Sequence, residues 1–213
     1  MVLRFEIITE ADARQIEHGA TVELAKGGHV TPLARDTLRE RRITVVPAGS
    51  VDPALPPDLA PKADIRRVAI ASDHTGVALR KAILQHLRGK AIAVDDFGVD
   101  GSTSADYPDT AASVARAVAR GEADAGIVID GAGIGSAIAA NKVRGIRAAM
   151  ATDETLARYS LEHNGANVLA LGSTLLPDVA VALRIVDVWI ATPMTEARYI
   201  RRLVKLRRLE ESF

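Results

Sequence analysis

Cysteine is absent from this 213-residue chain, which removes disulfides, thiolate metal sites and a cysteine nucleophile together. Aromatic residues make up only 3% of it, although apolar residues reach 48%. Ala, Val, Leu and Ile must therefore fill the core, a bias that suits helices layered on a parallel sheet. Net charge is absent too: 27 Lys and Arg balance 27 Asp and Glu. Nothing in that balance draws the chain to nucleic acid or a membrane surface. No apolar run approaches membrane-spanning length, and the opening MVLRFEIITEAD lacks the apolar region of a signal peptide. The expectation is a soluble cytoplasmic protein. Metal ligation is not suggested either, because His18, His29, His74, His86 and His163 lack ligand spacing.

Glycine is concentrated where it counts. In GIVIDGAGIGSAIAANK (126–142), Gly126–Ile129 reads as a buried strand, Asp130 ends it, and Gly131, Gly133 and Gly135 alternate into a helix start. A strand that breaks this way leaves backbone N–H groups aimed at one spot, which favours an anion. Asp130 sits at the strand's carboxyl end, where open α/β sheets place ligands. A carboxylate beside such donors could abstract a proton next to a carbonyl. The plainer alternative is a tight glycine turn capped by Asp130.

Three units divide the chain. Residues 1–50 form a small α+β module: a strand at 5–8, a helix opened by Thr9 and Asp12, a strand at 21–24, and a turn at Gly27–Gly28. Thr31-Pro32 then starts a second helix, and a strand follows at 43–46. Residues 51–65 belong to a linker in which five prolines fall between Pro47 and Pro61. From 66 to 213, strands expected near 67–72, 92–97, 125–130, 146–152 and 168–171 alternate with helices near 76–87, 109–120, 136–143, 154–163, 177–190 and 195–210. That alternation predicts a three-layer α/β/α sandwich on a five-stranded parallel sheet, with all carboxyl ends along one edge.

Further candidates are expected along that edge. Asp73 and His74 follow the first strand and suit sugar hydroxyls or phosphate, or else a cap with a surface histidine. Asp106-Tyr107-Pro108-Asp109 reads as a helix start, and His163-Asn164 as a dipole partner or a general acid. Arg198 and Arg202, spaced i, i+4, could clasp a phosphate or form a solvated basic face. A dinucleotide fingerprint built on Gly131-Ala132-Gly133 with Asp153 fails on its third glycine, which falls one residue early at Gly135.

In this order, VAIASDHTG, DFG, DYPD, GEADAGIVIDGAGIGSAIAANK, GIRAAMATD, EHNGANVLALG and ARYIRR resemble the type B ribose-5-phosphate isomerase and galactose-6-phosphate isomerase family, over about 66–208. The resemblance implies metal-free, cofactor-free aldose–ketose isomerisation of a sugar phosphate through an enediolate. It also implies a homodimer, or a dimer of dimers, with active sites at the subunit interface. Carried over residue by residue, Asp73 and His74 contact substrate, and His163 helps open the sugar ring beside Asn164. Gly131, Gly133, Ile134 and Gly135 lie in the loop that binds the developing oxyanion. Tyr107 lines the site, and Arg198 and Arg202 bind the phosphate.

Two departures stand out. Many members carry a cysteine base where this chain has Asp130, and a threonine or serine in place of Ala132. Another branch has a glutamate where this chain has Ser136, and Tyr199 follows the first phosphate arginine. Asp130 is then the replacement base, or else the chain is a catalytically silent subunit that binds sugar phosphate or pairs with an active copy. The segment TVELAKGGHVTPLARDTLRERRITVV (21–46) lies outside this resemblance. Its TPLARD helix resembles modules attached to bacterial-microcompartment enzymes, which implies recruitment to an assembly; an oligomerisation extension is the alternative.

Overall fold

The structure, a computed structural model, describes residues 3–48, 65–101, 104–194 and 197–212, with side chains of the last segment from 199 onward. The linker expected at 51–65 therefore lies almost wholly outside the described residues. They fall into two compact units, one from 65 to 192 and one joining the residues before 65 to those from 193 onward.

In the first part of the chain, β1 (Arg4–Ile8), α1 (Glu10–Gln15), β2 (Thr21–Val30), α2 (Pro32–Glu40) and β3 (Thr44–Pro47) alternate. The strands form one parallel sheet in the order β1-β2-β3. Thr9 and Asp12 make a reciprocal capping box on α1, and Thr31 caps α2 ahead of Pro32, as their spacing predicts. Ile8, Ala13, Ile16, Val22, Ala34, Leu38 and Ile43 form the core. Thr37 Oγ1 donates to Glu10 Oε2 at 2.6 Å, linking α2 to α1. That bond, with help from Arg14, holds the Glu10 carboxyl below its ordinary range.

Gly27–Gly28 does not turn the chain, contrary to expectation. The strand runs on through the pair, and Phe5 opposite Leu24 gives way to Ile7 opposite His29. Gly27 adopts φ +80°, and a Cβ on Gly28 would stand 2.5 Å from the Glu6 carbonyl oxygen. The glycines thus absorb extra residues as a bulge within β2.

The unit from 65 to 192 contains β4 (Arg67–Ser72), α3 (Val77–Gly89), β5 (Ala93–Asp96), α4 (Tyr107–Ala119), β6 (Ala125–Asp130), α5 (Ile134–Ala140), β7 (Ala148–Met150), α6 (Glu154–Asn164), β8 (Val168–Gly172) and α7 (Val179–Ala191). Its sheet is five-stranded and parallel throughout, in the order β5-β4-β6-β8-β7.

Side-chain size alternates along the central strands and sorts the layers. Val68, Ile70, Ile127, Ile129, Leu169 and Leu171 pack with α3, α6 and α7 around fully buried Trp189. Ala69, Ala71, Val128 and Ala170 face the other way, against Ala111, Val114 and Ala115 of α4 and Ala140 of α5. A small-residue sheet face lets α4 approach closely: a Cβ on Gly126 would stand 2.5 Å from Val114 Cγ1. The last helix, α8 (Ala197–Glu211), belongs to the other unit, where Met194, Tyr199, Ile200 and Leu203 form a small buried cluster.

Candidate active site

Parallel pairing puts the carboxyl ends of β4, β6 and β8 side by side, and each carries polar residues. At the end of β6, Asp130 is only 4% exposed. Its Oδ1 accepts a short hydrogen bond from the Gly133 N–H, and its Oδ2 accepts one from the Ser136 N–H at 2.7 Å. Two of the N–H groups at this strand-to-helix turn, those of Gly133 and Ser136, are therefore taken by Asp130 itself, which fixes its orientation at both oxygens. Ser136 Oγ is buried beside this arrangement with no hydrogen-bond partner among the described residues.

Each glycine in the loop answers a different demand. Gly133 has φ +76°, and a Cβ there would lie 2.8 Å from the Leu171 carbonyl carbon. Gly172, at the end of β8, reciprocates: its Cβ would lie 2.7 Å from the Ala132 carbonyl oxygen. Gly135 lies under the ring of Tyr107, whose Cε2 would be 2.7 Å from an added Cβ. Tyr107 begins α4 and remains 42% exposed, so its ring covers the loop from the solvent side. Ile134, also exposed, starts α5.

At the end of β4, Asp73 caps a single 3₁₀ turn over 74–76. Its Oδ1 accepts from both the Thr75 N–H at 2.8 Å and the Thr75 hydroxyl at 2.6 Å. His74 is exposed, and its Nδ1 accepts from the Ala105 N–H at 3.4 Å. Beyond β8, Ser173 Oγ donates to Thr75 Oγ1 at 3.4 Å, and the Ser173 N–H donates to the Asp130 carbonyl at 2.8 Å. Thr174 Oγ1 donates to the Gly131 carbonyl at 2.6 Å. Thr75, Ser173 and Thr174 are not among the residues the sequence singles out. A hydroxyl pair directly after VLALG was the available signal, at the strand end that already singled out Asp73 and Asp130.

The DFG match is explained by packing. Arg80, 1% exposed, donates to Ser72 Oγ at 3.1 Å and to the Val99 carbonyl at 2.8 Å, and pairs with Asp96 at 3.2 Å. Its guanidinium occupies the space that a Cβ on Gly98 would need. This buried arginine straps the segment after β5 to the end of β4.

His163 and Asn164 do not share this edge, which corrects the sequence expectation. α6 leaves the carboxyl end of β7 and returns to the amino end of β8, so its last residues lie at the opposite edge. The hydrogen bond from Arg147 Nε to the Gly165 carbonyl, 2.7 Å, ties that end to the residue preceding β7. The His163 ring stacks on Tyr159 with centroids 4.5 Å apart, and Asn164 Nδ2 donates back to the Tyr159 carbonyl at 3.2 Å. Arg198 and Arg202 share α8 at i, i+4; the Arg198 side chain lies outside the described residues, and exposed Arg202 lies over the Tyr199 ring at 5.5 Å. Among the described residues, no three His, Cys, Asp or Glu side chains gather as a metal site. No helix there is long and apolar enough to cross a membrane.

Residues 68–206 match the family model described as Ribose/Galactose Isomerase. The ribose-5-phosphate isomerase B of Escherichia coli is 39% identical over 147 residues, covering 69% of this chain and 98% of that protein. A Clostridium thermocellum ribose-5-phosphate isomerase B structure superposes with TM-score 0.67 at 45% identity, over 68% of this chain and 98% of that one. A Mycoplasma genitalium ribose-5-phosphate isomerase B structure with bound ribulose-5-phosphate gives TM-score 0.66 at 38% identity, over 69% and 97%. The family-model match over residues 68–206, with relatives covered over nearly their whole length, identifies the protein as a member of the ribose/galactose isomerase family.

Proposed function

We propose that the protein interconverts an aldose phosphate and its ketose, of the ribose 5-phosphate and ribulose 5-phosphate type, with Asp130 as the base and no metal. The observation that carries this reading is the buried Asp130 carboxylate, pinned by two N–H donors at the carboxyl end of β6. Each carboxylate oxygen has two lone-pair directions, so one bond apiece leaves capacity to receive a proton. Asp130 takes the C2 hydrogen of the open-chain aldose as a proton, and the electron pair moves through C1 onto O1. Transfer of the O2 proton to O1 and return of the abstracted proton from Asp130 to C1 then leave the ketose. Asp73, His74 and Tyr107 surround the sugar chain, and a phosphate role for Arg198 and Arg202 of α8 is what the family resemblance implies.

His163 and Asn164 stand at the other edge of the same chain, so in this reading they serve the Asp130 site of a second copy. A homodimer with interface sites meets that demand; one chain alone does not. The second reading, a silent sugar-phosphate-binding subunit, is favoured by one observation: Asp130 consumes the Gly133 and Ser136 donors that would otherwise stabilise an enediolate. Asp130→Asn separates the two. As base, its loss lowers kcat by ~10²-fold or more with little change in ligand affinity. Equal turnover in the mutant removes Asp130 from the chemistry.

A further inference from the structure

The hydroxyl protons of Thr75, Ser173 and Thr174, beside Gly131, are committed to the protein. Thr75 gives its proton to Asp73 Oδ1 at 2.6 Å, and Thr174 gives its proton to the Gly131 carbonyl at 2.6 Å. An ionised carboxylate and a carbonyl can only accept, so both directions are forced. Having spent its proton, Thr75 can only accept from Ser173 at 3.4 Å, and that direction is forced as well. A hydroxyl holds one proton and two lone pairs. All three oxygens are therefore left with lone pairs and nothing to donate. Asp73 Oδ2 adds another acceptor, because it has no hydrogen-bond partner among the described residues.

Thr75 and Thr174 are exposed and Ser173 is half-buried, so this acceptor surface is open to a ligand. It also keeps register with the carboxylate. Thr75 Oγ1 lies 3.9 Å from the point where a Cβ on Gly131 would stand, and the Ser173 N–H is bonded to the Asp130 carbonyl at 2.8 Å.

We infer that Thr75, Ser173 and Thr174 form a hydroxyl-reading wall that accepts hydrogen bonds from the hydroxyl groups of the substrate's carbon chain and turns its phosphate away. This inference rests on the isomerase reading above. Lone pairs beside the Asp73 carboxylate attract O–H donors and repel phosphate oxygens, so the polyol chain lies over Gly131 with its anionic end directed elsewhere. A site built to hydrogen-bond a hydroxyl rejects ligands that lack it, since its acceptors are then left unpaired.

Calorimetric titration of the full chain with ribitol 5-phosphate, an unreactive polyol phosphate, tests the wall, with inorganic phosphate as the reference ligand. Thr75→Val and Thr174→Val should each weaken ribitol 5-phosphate ~10-fold, equivalent to about 1.4 kcal/mol, and leave inorganic phosphate affinity unchanged. Thr75→Ser, which keeps the hydroxyl, should retain wild-type affinity. If Thr75→Val fails to fold, Thr174→Val still reports, because the Thr174 N–H keeps its own 3.0 Å bond to the Gly131 carbonyl. Unchanged ribitol 5-phosphate affinity in the folded valine variants overturns the wall. An equal loss of inorganic phosphate affinity also overturns it, by making these hydroxyls phosphate ligands. Wild-type protein that binds neither ligand overturns the isomerase reading and the wall with it.

Discussion

Asp130 shows how one residue can satisfy two readings at once. It caps α5 through the Gly133 and Ser136 N–H groups, and in the proposed function it also takes the substrate's proton. Gly135 gives a sharper residue-scale test, because its missing Cβ is what admits the Tyr107 ring. In Gly135→Ala the ring must swing outward, while alanine near a helix start costs the fold little. The expected outcome is a KM raised ~10-fold with kcat and melting temperature held; an unchanged KM would show that Tyr107 does not line the bound substrate. At this scale the glycine–aspartate loop was legible, because a buried strand ending in Asp and alternating glycines has few other solutions. What the carboxylate bonds to was not legible. The same spacing serves a ligand nest and a self-capped turn, and only three-dimensional geometry separates them.

Among the elements, the 2-residue alternation of large and small side chains does most of the organising. Ala69 is fully buried on the face that α4 approaches, whereas Ile70, next in the strand, faces α3 and α7. Ala69→Leu should therefore destabilise the fold by ~1–3 kcal/mol through overpacking. Ile70→Val, on the opposite face, should cost only about 0.5–1.5 kcal/mol. Guanidinium unfolding midpoints measure both, and an Ala69→Leu chain as stable as wild type would contradict the close approach of α4. The alternation of strands and helices was readable throughout 65–192, since buried apolar runs and capped helix starts repeat with little ambiguity. The Gly27–Gly28 bulge was not, because two glycines between strand-like stretches signal a turn as readily as an irregular strand.

For the whole molecule, parallel topology separates residues that sequence order appears to assemble. Asp130 closes β6 at one edge and His163 closes α6 at the other. If each site draws Asp130 from one chain and His163 from its partner, inactive Asp130→Asn and His163→Ala chains should complement when mixed. Random dimerisation makes half the molecules mixed, with one of two sites intact, so activity should return to about a quarter of wild type. No recovery in a mixture shown to contain mixed dimers would confine each site to one chain. Residues 4–47 carry a three-stranded sheet with its own core, and we expect them to recruit or assemble the enzyme rather than catalyse. Deleting them should leave turnover intact and change oligomer size or association.

Proton exchange observed by NMR tests the isomerase assignment most directly. The protein would be incubated in deuterated water, without added metal, with tetrose, pentose and hexose phosphates in turn. Enediolate chemistry at Asp130 predicts deuterium beside the carbonyl of one of them together with ketose formation, and the near-complete loss of both in Asp130→Asn. Sugar phosphates that bind yet stay fully protonated would contradict it and leave a binding subunit in its place.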